Sequence, residues 1–100
     1  MELEVNPELE TIDWNKISEL FELVNWGYRS PEDIKGSFRK STVVCLVKEH
    51  NEIIGFGRTI DDGKYYALLV DVVIQPNHQN KGIGKVLVSK LLEQLQGYEF

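Results

Sequence analysis

The apolar positions of this 100-residue chain change period several times, and each change marks an element. Residues 2–6 (ELEVN) alternate and predict a short strand closed by Pro7. Trp14, Ile17, Leu20, Phe21 and Val24 recur at helical spacing, so a helix is expected from an Asp13 N-cap through Trp26, ended by Gly27. Ser30 as N-cap, Pro31 at the first position and Asp33 in the first turn open a second helix. Thr42 to Lys48 is β-branched and reads as a strand. "EHNE" turns the chain, and Glu52 to Ile60 forms the next strand, with Gly55 and Gly57 marking a bend or a close backbone approach. "DDGK" is a hairpin turn into Tyr65 to Ile74, whose near-continuous apolar character predicts burial on both faces. Ile83, Val86, Leu87, Leu91, Leu92 and Leu95 mark an amphipathic helix ended by Gly97, and "YEF" reads as the first residues of another strand. The order is strand, helix, helix, a three-strand antiparallel meander and a helix. It defines one α+β domain over residues 1–100, with a mixed sheet possible.

Composition narrows the classes. At 42% hydrophobic and 27% charged, the chain is globular rather than disordered, with a limited core. No apolar run has the length of a membrane span, and the acidic start MELEVNPELE does not resemble a signal peptide, so no membrane association is expected. One cysteine, Cys45, excludes an intramolecular disulfide and fits a reducing, cytoplasmic setting. A net charge of −5 argues against nucleic acid as a partner. The charge is uneven: residues 1–33 carry net −7 and residues 34–100 net +2. Ligands of opposite sign are one reading of this split, and a solvated acidic helix face is the other.

The stretch "VDVVIQPNHQNKGIGKVL", Val70 to Leu87, concentrates the candidate chemistry. A strand breaks at Pro76, crosses a polar loop and becomes helical beside two glycines. First-turn N–H groups of a helix lack intrahelical partners and carry the positive end of its dipole. Gly82 and Gly84 admit a ligand to the backbone, and Lys81 and Lys85 add charge, which together make a site suited to phosphate. The dinucleotide-binding fingerprint fails at Leu87, where a third glycine is required, and the P-loop fails at Val86. Asp71 is a lone acid in "ALLVDVVI". It is either a general base or a structural carboxylate bonded to backbone amides or to an arginine such as Arg58. Cys45 reads as core, and His50 and His78 are too few and too isolated for a metal site.

"QNKGIG" matches the Gln/Arg-x-x-Gly-x-Gly/Ala signature of the GCN5-related N-acetyltransferases, and the resemblance extends through "VVIQPNHQNKGIGKVLVSKLL" and the element order. It implies an acyl-CoA N-acyltransferase-like fold and acetyl-CoA as cofactor. Backbone amides of Gln79, Asn80, Lys81, Gly82, Ile83 and Gly84, with Lys85 beside them, would hold the pyrophosphate. Val72, Val73 and Ile74 would pair with the pantetheine arm beside a bulge that splays the strand. Asp71 would take the acceptor's proton, and Trp26, Tyr28 and Arg29, at the join of the first two helices, would line the acceptor pocket. The implied reaction is direct transfer of acetyl to a primary amine on a small molecule or peptide.

Members of this family usually continue through a fifth strand, a fourth helix and a final hairpin. The chain is therefore expected to be short at its C-terminus, either as a fragment or as a protein that completes its sheet edge by forming a homodimer. Tyr98 does not match the tyrosine that protonates the departing thiolate in such enzymes. The alternative to an enzyme is a degenerate module that binds CoA or a protein partner without turnover. A nucleotide-binding protein using the same loop is a weaker third reading.

Overall fold

A computed structural model describes residues 1–97. In chain order the elements are β1 (Glu2–Val5), α1 (Trp14–Leu23), α2 (Pro31–Phe38), β2 (Val44–Glu49), β3 (Glu52–Asp61), β4 (Ala67–Ile74) and α3 (Ile83–Gln94). The expected "YEF" strand lies outside the described residues. Among the described residues the strands form one sheet in the order β1-β2-β3-β4, antiparallel throughout.

The sheet is the middle of three layers. Val44, Leu46, Phe56 and Val73 point to one side and pack with Ile17, Leu20, Phe21, Ile34 and Phe38 of α1 and α2. Cys45, Val47, Ile54 and Ile74 point to the other and pack with Ile83, Leu87, Leu91 and Leu95 of and just after α3. The alternation of β2 between these clusters is the two-residue period of a strand covered on both faces.

The ends of the elements follow local chemistry. Asp13 accepts from the Lys16 N–H at 3.2 Å and starts α1. The helix stops at Leu23, earlier than the expected Trp26, because Asn25 takes the left-handed conformation (φ 65°) two residues before Gly27, which is left-handed too. The Asn25 N–H then donates to Glu22 O and the Trp26 N–H to Phe21 O, both at 3.0 Å, a Schellman cap built on asparagine. Ser30 caps α2 as expected, accepting from the Asp33 N–H at 3.2 Å. His50 and Asn51, with φ of 51° and 67°, supply the two left-handed residues of a tight hairpin turn. In the next link Asp62 accepts from the N–H groups of Lys64, Tyr65 and Tyr66, so β4 starts at Ala67 rather than at Tyr65.

The expectation that β4 is buried on both faces is not met. Leu68 is 61% exposed and residues 69–72 are only partly buried. Apolar sequence predicts burial only where neighbours supply cover, and β4 pairs with β3 alone among the described residues. The strand is also interrupted. Phe56 pairs with Val73 and Arg58 with Val70, so Asp71 and Val72 together oppose Gly57. This is a β-bulge, and Asp71 sits in it with φ at 52°.

Gly55 and Gly57 mark the close approach that the sequence suggested. A Cβ on Gly55 would lie 2.9 Å from the Val73 carbonyl oxygen, and one on Gly57 would lie 2.8 Å from Leu91 Cδ1. Helical Gly36 has nothing within 4 Å of its added Cβ. Gly55→Ala is therefore expected to destabilise the fold by about 1–3 kcal/mol. Gly36→Ala should stabilise it by about 0.5–1 kcal/mol. Urea unfolding of the two variants checks both signs.

Candidate active site

The path from β4 to α3 is fixed from beneath. The Gln75 N–H donates to Ile54 O at 2.8 Å, and Pro76–His78 form a single 3-10 turn. Gln79 reaches back, its Nε2 donating to Ile74 O at 2.9 Å. Ile83 is buried in the α3 cluster. Between these anchors Asn80 and Gly82 take left-handed conformations, with φ of 65° and 80°. Alternating conformations of this kind turn successive N–H groups toward a common centre. Among the described residues, none of the backbone N–H groups from Asn80 to Lys85 has an acceptor; the next, Val86 N–H, donates to Gly82 O. A Cβ on Gly82 would meet nothing within 4 Å, so the loop borders open space. Lys81 and Lys85 are exposed beside it. Six free donors at the positive end of a helix, flanked by two cations, fit a pyrophosphate.

The residues expected to line a cofactor arm lie at the C-terminal end of β4. Val73 and Ile74 are buried, on opposite faces of the sheet, and Val72 is partly buried against the α3 cluster. The Gln75 N–H faces β3, so the alternation of a strand turns the polar groups of Val73 toward β3 as well and those of Ile74 outward. Among the described residues, the outer edge of β4 has no strand partner.

Asp71 is held by two arginines. Arg58 Nε donates to its Oδ2 at 2.8 Å, with both side chains 11% exposed. Arg29 Nη1 donates to Oδ1 at 3.3 Å, and the Arg29 side chain is 43% exposed. Arg58 is further engaged: its Nη1 donates to Ser37 O at 3.4 Å and to Ser41 Oγ at 3.2 Å, and the guanidinium stands 5.4 Å from the Phe38 ring centroid. The Arg29 guanidinium lies 4.3 Å above the Phe21 ring. The foreseen partner of Asp71, Arg58, is present; Arg29, 42 positions away in sequence, is the additional one.

Both guanidiniums border a cavity of about 410 Å³ between α1, α2 and β3. Tyr28 and Arg29 line it, together with Asp33, Ile34 and Ser37. Asp33 carries no sequence signal beyond its place in the first turn of α2, and Ser37, inside that helix, carries none. Trp26 packs against Phe21 at 5.8 Å and does not line the cavity. Asp71 does not itself line the cavity; it is joined to it through the two guanidiniums that do.

The other reactive groups are accounted for by packing. Cys45 is fully buried, and that burial pushes its thiol above the ordinary value. His78 is partly buried rather than at the surface; its Nδ1 stands 3.8 Å from Glu49 Oε2 and has no hydrogen-bond partner among the described residues. The described residues contain no group of three or more His, Cys, Asp or Glu arranged for a metal, and none of their helices is long and apolar enough to cross a membrane.

A three-layer α/β domain with an open donor loop after a bulged strand is the acyl-CoA N-acyltransferase class of fold. Residues 9–100 match the Acetyltransferase (GNAT) family, and the chain belongs to it. An uncharacterized N-acetyltransferase of Porphyra purpurea is 29% identical over 94 residues, covering 90% of this chain and 54% of the relative. A chloroplastic serotonin N-acetyltransferase of Oryza sativa subsp. japonica is 29% identical over 90 residues, 86% of this chain and 45% of that one. The chain thus spans about half the length of the curated relatives it matches. In structure it resembles an aminoglycoside 6'-N-acetyltransferase complexed with coenzyme A, with a TM-score of 0.80 at 17% identity over 94% of this chain and 54% of that one. Acetyl-CoA is the cofactor of the family.

Two outcomes follow for the Asp71 ion pairs and for the buried thiol. Asp71→Asn leaves the Arg58 guanidinium without its counter-charge and should cost about 3 kcal/mol. Arg29→Gln, losing the longer and more exposed pair, should cost no more than about 1 kcal/mol. Chemical denaturation at neutral pH measures the ratio. For Cys45 the folded thiol titrates above the unfolded one. Its contribution to stability is therefore full below the unfolded value of about 8.5 and declines as the pH rises past it. Stability measured from pH 7 to 10 should show a decline that Cys45→Val lacks.

Proposed function

We propose that the protein is an acetyl-CoA-dependent N-acetyltransferase that moves acetyl to a primary amine by direct attack. The observation that carries the proposal is the run of six backbone N–H groups, Asn80 to Lys85, that have no acceptor among the described residues and lie one strand-end away from Asp71. When bound, acetyl-CoA supplies an activated thioester. The chain's residues do the remaining work. The N–H groups of the loop, with Lys81 and Lys85, hold the pyrophosphate. The outward N–H of Ile74 and the partly buried side chain of Val72 line the arm, with Val73 supporting the strand from the core. Gln79, tied to Ile74 O, fixes the loop relative to the strand.

The acceptor enters the cavity lined by Tyr28, Arg29 and Asp33. Trp26 supports that wall through Phe21. An amine attacks a carbonyl only when neutral, so its ammonium form must first lose a proton. Asp71 Oδ1, held by the longer of its two ion pairs, is the group we assign to receive it. A binding module without turnover is favoured by one observation: both oxygens of Asp71 are engaged by guanidiniums. The free edge of β4 is also where a second copy of the chain would pair to form a homodimer. We read the location as cytoplasmic from the single, buried Cys45, with the plastid as the alternative that a chloroplastic relative raises.

Calorimetric titration with acetyl-CoA tests the reading against a Gly84→Glu variant. Gly84 does not have a left-handed φ, and its added Cβ would meet only Ile74 Cγ1 at 3.8 Å. A carboxylate at a helix N-terminus favours the helix. It should nevertheless repel pyrophosphate and weaken binding by tenfold to a hundredfold, on the order of one lost charged hydrogen bond. Saturable binding that the variant loses, followed by acetylation of an amine, supports the enzyme. Binding without any turnover supports the module. A folded chain that binds no acetyl-CoA sinks both.

A further inference from the structure

We infer that the cavity between α1, α2 and β3 is a carboxylate site, in which Arg29 and Arg58 together hold one carboxylate of a compact ligand. Joined to the acetyltransferase reading, on which this part rests, it makes the acceptor an amine that also carries a carboxylate.

The lining is rich in unused donors. A guanidinium has five N–H groups in a planar fork. Arg58 uses three of its own: Nε on Asp71 Oδ2, and Nη1 on Ser37 O and Ser41 Oγ. Its Nη2 has no acceptor among the described residues. His78 Nδ1 is the only buried side-chain nitrogen or oxygen there without a partner, so Arg58 Nη2 is open to solvent, and the cavity is the space that Arg58 borders. Arg29 uses Nη1 alone, on Asp71 Oδ1 at 3.3 Å, which leaves Nε and Nη2 without acceptors among the described residues. The one carboxylate on the lining, among the described residues, is Asp33, which is exposed and screened by water.

Charge selects the ligand class. Asp71 joins the two guanidiniums from outside the lining, one on each oxygen, so two cations share one anion. A monoanion received from the cavity side makes the count two against two. A phosphate dianion exceeds it, and an ammonium would meet two cations. The planar fork of a guanidinium also matches a carboxylate through paired N–H groups.

Both side chains are held before a ligand arrives. The Arg29 guanidinium lies 4.3 Å over the Phe21 ring, and that of Arg58 lies 5.4 Å from the Phe38 ring centroid, on a side chain 11% exposed. Little ordering is left for binding to impose. The lining also includes the buried apolar Phe21 and Ile34, and the volume is about 410 Å³. That is near the small end of ligand cavities, so the ligand is a short carboxylate with a hydrocarbon body.

The chain has three arginines, 29, 39 and 58, so arginine-selective nitrogen-15 labelling gives three Nε–H signals, assigned with Arg29→Gln and Arg39→Lys. The probe is butyrate at pH 7, with butyramide, n-butylamine and inorganic phosphate as counter-probes. Butyrate is expected to shift the Arg29 and Arg58 signals saturably and to leave Arg39 in place, and the counter-probes to shift none of them. Arg29→Gln should bind butyrate about tenfold more weakly by calorimetry, the size of one charged hydrogen bond. Gly84→Glu should bind it as the parent chain does. Unmoved Arg29 and Arg58 signals, or undiminished binding by Arg29→Gln, overturn the site. Loss of butyrate binding in Gly84→Glu moves the anion to the loop and overturns it too. A counter-probe that acts as strongly as butyrate overturns the carboxylate class.

Turnover separates this inference from the wider reading. With acetyl-CoA present, ω-amino acids of two to six carbons are compared with n-alkylamines of the same length. The best amino acid should exceed its alkylamine about tenfold in kcat/KM, an advantage that Arg29→Gln loses. Equal rates overturn the acceptor assignment and leave the acetyltransferase reading standing. No turnover by a chain that binds both acetyl-CoA and butyrate overturns the acceptor assignment in favour of the binding module. Butyrate bound by a chain that binds no acetyl-CoA ends the acetyltransferase reading and leaves the carboxylate site.

Discussion

The position of every candidate group depends on one local distortion, the bulge in β4 at Asp71. Two residues of β4 face one of β3, and Asp71 bears the cost in a left-handed conformation that a non-glycine residue adopts at a penalty. Aspartate is among the side chains that tolerate it best. The distortion is supported on both sides. Gly57 opposite leaves space that Leu91 and Val72 fill, and Arg58, one residue on, reaches across to close an ion pair with the bulged carboxylate. Without the extra residue the register beyond it would slip by one, and Val72 and Val73 would exchange faces of the sheet. The bulge thus sets which valine enters which core, and it re-aims the strand toward the loop.

The loop depends on that aim. Its open N–H groups are useful only if they stand at a fixed distance from the end of β4, and three contacts fix them: the Gln75 N–H on Ile54, the Gln79 amide on the Ile74 carbonyl, and Ile83 in the α3 cluster. Buried backbone donors are almost always satisfied. A run of six without acceptors among the described residues is tolerable here because the segment lies at the surface, where water or an anion can serve them. The same residues would be destabilising in a core.

Much of this was legible in the sequence. The element order, the Asp13 and Ser30 caps, the close approach at Gly55 and Gly57 and the open loop follow from rules that act over four or five residues, and these are properties a sequence states directly. The misses share a different cause. Glycine is the commoner left-handed cap and points to Gly27 as the end of α1, whereas Asn25 takes that role two residues earlier. The composition of β4 predicts burial on both faces, yet burial belongs to neighbours, and Leu68 is exposed. Arg58 could be paired with Asp71 because adjacent antiparallel strands bring them together. Arg29 could not, because its link to Asp71 depends on where a helix–helix connection lies over the sheet. The cavity it borders, with Asp33 and Ser37, was invisible for the same reason.

The uneven charge of the chain takes on a sharper meaning in three dimensions. Read along the sequence, the acidic first third and the mildly basic remainder could be no more than a solvated helix face. In the fold, the loop carries Lys81, Lys85 and the positive end of α3, while Asp33 of α2 borders the cavity between α1, α2 and β3. The loop leads into the helix on one face of the sheet, and the cavity lies among the helices of the other face, where two guanidiniums stand against Asp33 and the nearby Asp71. Under the acetyltransferase activity proposed above, that separation would keep an anionic donor and an amine acceptor out of each other's site. Arg58 already balances Asp71, so the Arg29 pair adds a second cation to a carboxylate that is not alone. That second pair is long, exposed and seated on an aromatic ring, so the fold depends on it far less than on the first.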